Sequence, residues 1–273
     1  MVAVIDETAT NGAILWAKQI GGTGDQTCTA AVFDSDGNLV ITGQYGVGPL
    51  DFGAGPVAPA ATGTNQNVFV AKFDGTTGAF LQAAGFGPGT GASRSSPVAI
   101  AAGARGEVAV VGSVVGQITF GGTIVRSAST ALADAFAVKL NADLTVATGW
   151  PVRIGGGAAD AANAVAIDGQ DQVWVAGTFG GTTTAPGTDG RGAVAMTSNG
   201  GTDAYLVRFS AAGVATFSSH YGDTSGQGAS TLVAAPDAIW MGGTFGSSIQ
   251  FPPLPALTST SGTDVRNFLV KYQ

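Results

Sequence analysis

Phe69-Val-Ala-Lys72-Phe73 is one of four versions of a single short word. It returns as Phe136-Ala-Val-Lys139-Leu140, Tyr205-Leu-Val-Arg208-Phe209 and Phe268-Leu-Val-Lys271-Tyr272, the basic residue advancing by 67, 69 and 63 positions. A second marker keeps step with it, an apolar strand closing on glycine at Gly43, Gly112, Gly177 and Gly242. Two markers moving together mean that whole units were duplicated, so the chain reads as a four-repeat array in one domain of 273 residues. The repeats run over residues 12–77, 78–144, 145–212 and 213–273, with 1–11 as an extra edge strand.

Around each marker the pattern is that of antiparallel strands. Cys28 to Phe33 reads as a strand, Asp34-Ser-Asp-Gly37 as a turn, and Asn38 to Gly43 as the returning arm, because glycine supplies positive φ and aspartate caps turn backbone. The marker strand Val68 to Phe73 and a strand near Ala79 to Ala84 complete a set of four. No stretch keeps a 3.6-residue period, so long helices are not expected. The four-stranded units predict an all-β propeller whose blades carry a long loop or an extra hairpin. The last repeat lacks a fourth strand, and Ala13-Ile-Leu-Trp16-Ala-Lys18 after Asn11-Gly12 matches that place. Closure of the ring by this N-terminal strand alongside Asn267–Tyr272 is therefore expected, since a shared blade hides an open edge. Val2-Ala-Val-Ile5-Asp6 repeats the marker strand once more, with Val4 at the cation position. It is a spare edge strand, a trace of a longer array, or a strand that pairs with a second molecule.

The run Gly21-Gly-Thr-Gly-Asp25, Ala31 to Gly43, Leu50-Asp-Phe-Gly53 and Asn67 to Asp74 resembles the SBBP-type β-propeller repeat. Gly177–Phe179 and Gly243–Phe245 echo it, whereas Gly87-Pro-Gly-Thr-Gly91 lacks the loop acid that Asp25 and Asp160 supply. That family is common in large exported or surface proteins of myxobacteria and related bacteria. The resemblance implies a propeller in an extracellular or cell-surface setting, and it carries over no catalytic residue.

Composition narrows the function. A net charge of −7 with eleven scattered Lys and Arg argues against nucleic-acid binding, which needs clustered cations. The longest apolar stretch, Val98 to Gly116, is broken by Arg105 and Glu107, so membrane insertion is not expected. Met1-Val-Ala-Val-Ile5 has no basic n-region and meets Asp6-Glu7 at once, so no signal peptide is read in the chain. Lone Cys28 can form no internal disulfide.

His220, Tyr221 and Asp223 form the best grouping for acid–base chemistry, but one histidine and one cysteine leave little to activate a nucleophile. Asp34-Ser-Asp36-Gly37-Asn38 alternates oxygens like a calcium loop yet lacks the closing glutamate, so it reads as a capped turn. No metal or cofactor is expected. The marker cations Lys72, Lys139, Arg208 and Lys271 read as outward charges on packed stems. Leu50-Asp-Phe52, Ile118-Thr-Phe120 and Ile249-Gln-Phe251 predict an added strand with its Phe turned inward, absent from repeat three.

The expectation is a non-catalytic binding or surface-structural module that recognises a protein or glycan through long loops, with Asp25, Asp160, His220, Tyr221 and Asp223 as candidate ligand contacts. Two rivals stand beside it. One is a self-assembling subunit of a filament or surface layer that pairs through the redundant N-terminal strand. The other is an enzyme that works in the central channel with His220 and Tyr221.

Overall fold

The computed structural model describes residues 2–6, 13–22, 24–46, 48–53, 56–57, 66–87, 93–186, 194–260 and 264–273, and these contain strands and turns but no helix. The Asn11-Gly12 turn, loop residues 88–91, residues 187–189 and much of the Gln44–Gln66 connection lie outside them. Two strands open the chain, β1 (Val2–Asp6) and β2 (Ala13–Lys18). The first sheet is β3 (Gln26–Phe33), β4 (Leu39–Tyr45), β5 (Asn67–Phe73) and β6 (Phe80–Phe86). The second is β7 (Arg94–Ala102), β8 (Val108–Val115), β9 (Asp134–Leu140) and β10 (Val152–Gly156). The third is β11 (Asp160–Ile167), β12 (Val173–Phe179), β13 (Asp203–Phe209) and β14 (Ala215–Tyr221). The fourth has three strands, β15 (Gln227–Ala235), β16 (Ala238–Phe245) and β17 (Arg266–Tyr272). Each sheet is antiparallel, with its strands hydrogen-bonded in chain order.

A bulge in the first strand of every sheet explains the marker glycine. The ladder skips one residue between Cys28 and Ala30, Pro97 and Ala99, Ala162 and Ala164, and Ala229 and Thr231. The bulge pushes a carbonyl toward the second strand, where a Cβ would sit 2.0 Å from Thr27 O at Gly43, 2.0 Å from Ser96 O at Gly112 and 1.9 Å from Ala161 O at Gly177. In the fourth sheet the residue in this position is Gly243, 2.0 Å from Gly228 O, and not the Gly242 that the sequence pattern suggests. Across the ladder each of these glycines faces the marker aromatic, Phe69, Phe136, Tyr205 or Phe268. The duplicated word is thus one packing unit, a bulge with a glycine under it and a ring beside it.

The aromatic and the cation are three residues apart on a strand of period two, so they face opposite sides of the sheet. The aromatics are buried in all four sheets. Phe136 packs with Phe120 and Phe86 against Val40, Val68 and Val70 of the first sheet. Tyr205 and Phe179 close onto the second sheet, and Phe268 and Phe251 close onto the third. Successive sheets therefore stack face to face, with the first strands β3, β7, β11 and β15 lying against one another along one side. Val32, Ile100, Val165 and Leu232 on these strands are all part of that packing.

Three expectations need correction. The N-terminal strand does not join the last sheet: β2 pairs with β1 in a separate two-stranded sheet, and among the described residues β17 pairs only with β16. Physically, β1 is the nearest strand in sequence, and joining it closes a short loop rather than one spanning the whole chain. The marker cations are not all outward charges, since Lys72 and Lys139 are only 5% and 4% exposed. Repeat three also has the added hairpin, Thr182–Ala185 with Val194–Thr197, filled by Ala185 and Met196 in place of the Phe of its sisters.

Candidate functional site

The turn ends of the sheets carry one set of charged pairs. Asp34 caps its turn by accepting from Asp36 N at 3.0 Å and Asn38 N at 2.9 Å, and it pairs with Lys72 at 3.0 Å. Burial pushes this carboxyl's pKa up, but the bonds from Lys72 and Asn38 outweigh it and hold the group below its ordinary range. Asp168 repeats the cap in the third sheet, accepting from Gln170 N, Gln172 N and the Trp174 indole. With both Asp34 oxygens taken by donors of the chain, adding a chelator is expected to leave thermal unfolding unchanged. A melting point that fell with chelator and recovered with calcium would sink this reading of the turn.

Two of the four marker cations, Lys72 and Lys139, tie one sheet to the next. Lys72 also donates to Ala142 O of the second sheet at 2.9 Å. Lys139 of the second sheet pairs with Asp171 of the third. Around that pair lies a cleft of about 400 Å3, walled by Lys139, Asp171, Glu107, Asn141 and Thr148, with Arg105 at its rim. Glu107 turns inward and accepts from Arg105 N at 2.8 Å, while the Arg105 guanidinium reaches Asp171 at 3.5 Å with most of its surface in solvent. Burial pushes the Asp171 carboxyl up, yet the Lys139 bond and the nearby Arg105 charge bring it below its ordinary value. The same place between the third and fourth sheets holds a smaller cleft of about 240 Å3, lined by Trp174, Arg208, Asp237 and Tyr272. There Arg208 lies over the Trp174 ring at 5.3 Å, while Lys271, on the other face of the fourth sheet, pairs with Asp237 at 3.3 Å.

The residues singled out from sequence do not meet in one place. Asp25 is exposed just before β3. Asp160 starts β11 at 1% exposure, its carboxylate accepting from Gly156 N at 2.9 Å beside buried Asp134. Burial, reinforced by the Asp134 charge, raises the Asp160 carboxyl to about 6. His220 and Tyr221 are consecutive on β14 and so face opposite sides. The imidazole stands edge-on to Phe179 at 5.7 Å, and the phenol packs on Phe251 at 4.7 Å in the next interface. Asp223 follows β14 and takes bonds from Ser225 N, Gln227 and Ser248. Those donors outweigh the cost of burial and hold its carboxyl at about 2. A carboxylate so fully bonded to its own chain is a loop brace. No acid, base and nucleophile converge among the described residues, and none of their His, Cys, Asp and Glu side chains cluster in a way that could hold a metal ion.

The Arg105, Glu107, Lys139 and Asp171 cluster is the arrangement that sequence reading missed. Its signal was present in the marker cation, but Glu107 and Asp171 sit in hairpin turns that differ from repeat to repeat, and only the stacking of sheets brings them to Lys139. No helix of the described residues is long and apolar enough to cross a membrane. No protein-family model matches the chain, and a search of curated proteins finds no match for it.

Proposed function

We propose that the chain is a non-catalytic recognition module of β-propeller type, in which the four sheets are successive blades. A protein or glycan ligand docks at the turn-end clefts and the loops beside them. The observation that carries the reading is the cleft of about 400 Å3 between the second and third blades, where donors and acceptors of both signs stand around one opening. Such a wall suits a ligand rich in hydroxyl and amide groups, because each neutral polar group can find a partner without a charge being stripped of water. The rigid ladders on either side fix the spacing of these groups. Likeness to the SBBP-type repeat supports an exported or cell-surface setting for the module.

A screen against glycans and proteins tests this proposal. Arg105→Ala should weaken the best binder about tenfold, the loss of one charge-assisted hydrogen bond of ~1.5 kcal/mol, without lowering the melting point. Binding that ignores Arg105→Ala, or that is lost instead on substitution of Asp25 or Asp223, would move the site away from this cleft.

A further inference from the structure

We propose that the chain assembles head to tail, the fourth sheet of one copy completing a blade on the N-terminal strand β2 of the next. The proposal extends the blade reading above, and it does not depend on what the clefts bind.

The first ground is a face that three sheets bury and the fourth leaves open. Val40 and Val70 of the first sheet, Ala109 and Ala137 of the second, and Trp174 and Leu206 of the third hold equivalent ladder positions, neighbouring the marker cation in each case. All six are buried against the following sheet, the most exposed being Trp174 at 8%. Their counterparts Trp240 and Leu269 are 38% and 68% exposed, and Val233 on the same face is 57% exposed. A sheet face built to be covered is therefore continuous with the sheet-on-sheet interface already seen three times in the chain.

The second ground is what covers that face elsewhere. Its partner is always the aromatic side of a sheet, carrying Phe136, Tyr205 or Phe268. The first sheet has such a side, with Phe69, Phe73 and Phe52, covered by Val4, Trp16 and Ile20 of the N-terminal segment. The cover is incomplete, because Phe33 on β3 remains 54% exposed.

The third ground is strand identity. Trp16 donates its indole N–H to Gly75 O at 2.9 Å, as Trp150 donates to Ala211 O at 2.9 Å. Gly21-Gly22 beyond β2 pairs with the added hairpin of the first sheet, as Gly155-Gly156 in β10 pairs with that of the third. So β2 is a fourth strand lying on the first sheet just as β10 lies toward the third. The second sheet sets Phe136 opposite Arg153 and Ala137 opposite Val152. Transferred by these matches, the joint sets Phe268 opposite Gln19, and Leu269 opposite Lys18 of the neighbouring copy. β17 then replaces β1, which holds that edge of β2 in the single chain, with Val2 opposite Lys18. One contact thereby pairs the edge of β17 that has no partner among the described residues, covers Trp240 and Leu269, and covers Phe33.

Light scattering after size exclusion, across a wide dilution series, tests the assembly. The mass should rise above the 26.8 kDa of one chain with concentration. Leu269→Asp, a change at a solvent-facing position, should return it to one chain with the strand spectrum and melting point kept. Removing residues 1–6 should tighten assembly by removing the competing strand; if it dissolves the oligomer, β1 is the joint and the proposal is wrong. In a Cys28→Ser background, Lys18→Cys with Leu269→Cys should oxidise to a ladder of linked chains. A linked monomer would place the joint within one chain, and a mass of one chain at every concentration would overturn the proposal. None of these readouts uses ligand, so the recognition reading can fail or stand separately.

Discussion

Phe136→Ala is expected to lower the unfolding free energy by about 3–5 kcal/mol, the cost of emptying a fully buried aromatic site. The ring is enclosed from two sides, by Phe120 of its own repeat and by the valines of the preceding sheet, so no single neighbour can move in to fill the space. Denaturant titration should show a lower midpoint with an unchanged slope, because the fold is kept and only its packing is lost. Phe33→Ala, measured at a dilution where the mass is that of one chain, serves as the control: its ring is 54% exposed and its loss should change stability by ~0.5 kcal/mol or less. If the two substitutions cost the same, the aromatic side of the second sheet does not face the first, and the stacking order described above is wrong.

The second large effect concerns the buried carboxyl pair at the opposite end of the same interfaces. Asp160 titrates at about 6 in the fold against an ordinary 3.8, because it is buried and because Asp134 stands close by. A group whose pKa is raised by folding adds stability below its unfolded value and loses it as pH rises through the folded value. The gap between 3.8 and about 6 corresponds to about 3 kcal/mol. Asp160→Asn keeps an oxygen for Gly156 N but cannot ionise. It should therefore be more stable than the parent at pH 7 by up to about 3 kcal/mol, with the advantage shrinking to nothing near pH 4. Melting curves at pH 4, 5, 6 and 7 would check it. A variant whose deficit against the parent grew as pH rose from 4 to 7 would show instead that the carboxylate of Asp160 stabilises the fold as an anion.

The repeat was legible in sequence because duplication preserved whole packing units. A ring opposite a bulge and a glycine under that bulge leave the same trace at Phe69, Phe136, Tyr205 and Phe268, and each trace proved to be a buried ladder position. The capped turn at Asp34 was legible for the same reason, as an aspartate that serves its own backbone needs no distant partner. What sequence hid were choices between equivalent partners. β2 could extend β17 or pair with β1, and the pattern of a fourth strand suits either edge. Gly242 and Gly243 are adjacent, and only the position of the bulge decides which one lies under the carbonyl. The hairpin of the third repeat was missed because buried Ala185 and Met196 stand where the other repeats carry Phe52, Phe120 and Phe251, so the word changed while the hairpin was kept. The charged cleft was hidden because Lys139 and Asp171 meet only across two sheets.

Hydrogen exchange, read at a dilution where the mass is that of one chain, tests most directly the claim that equivalent sheets stack in a row with one face left open. Amides of β5, β9 and β13, which lie between paired strands, should exchange only through global unfolding. In β17 the alternate amides that point away from β16 should exchange far faster, since that edge has no partner among the described residues. Equal protection of β17 and the other three third strands in the single chain would contradict the open stack and establish a ring closed on itself.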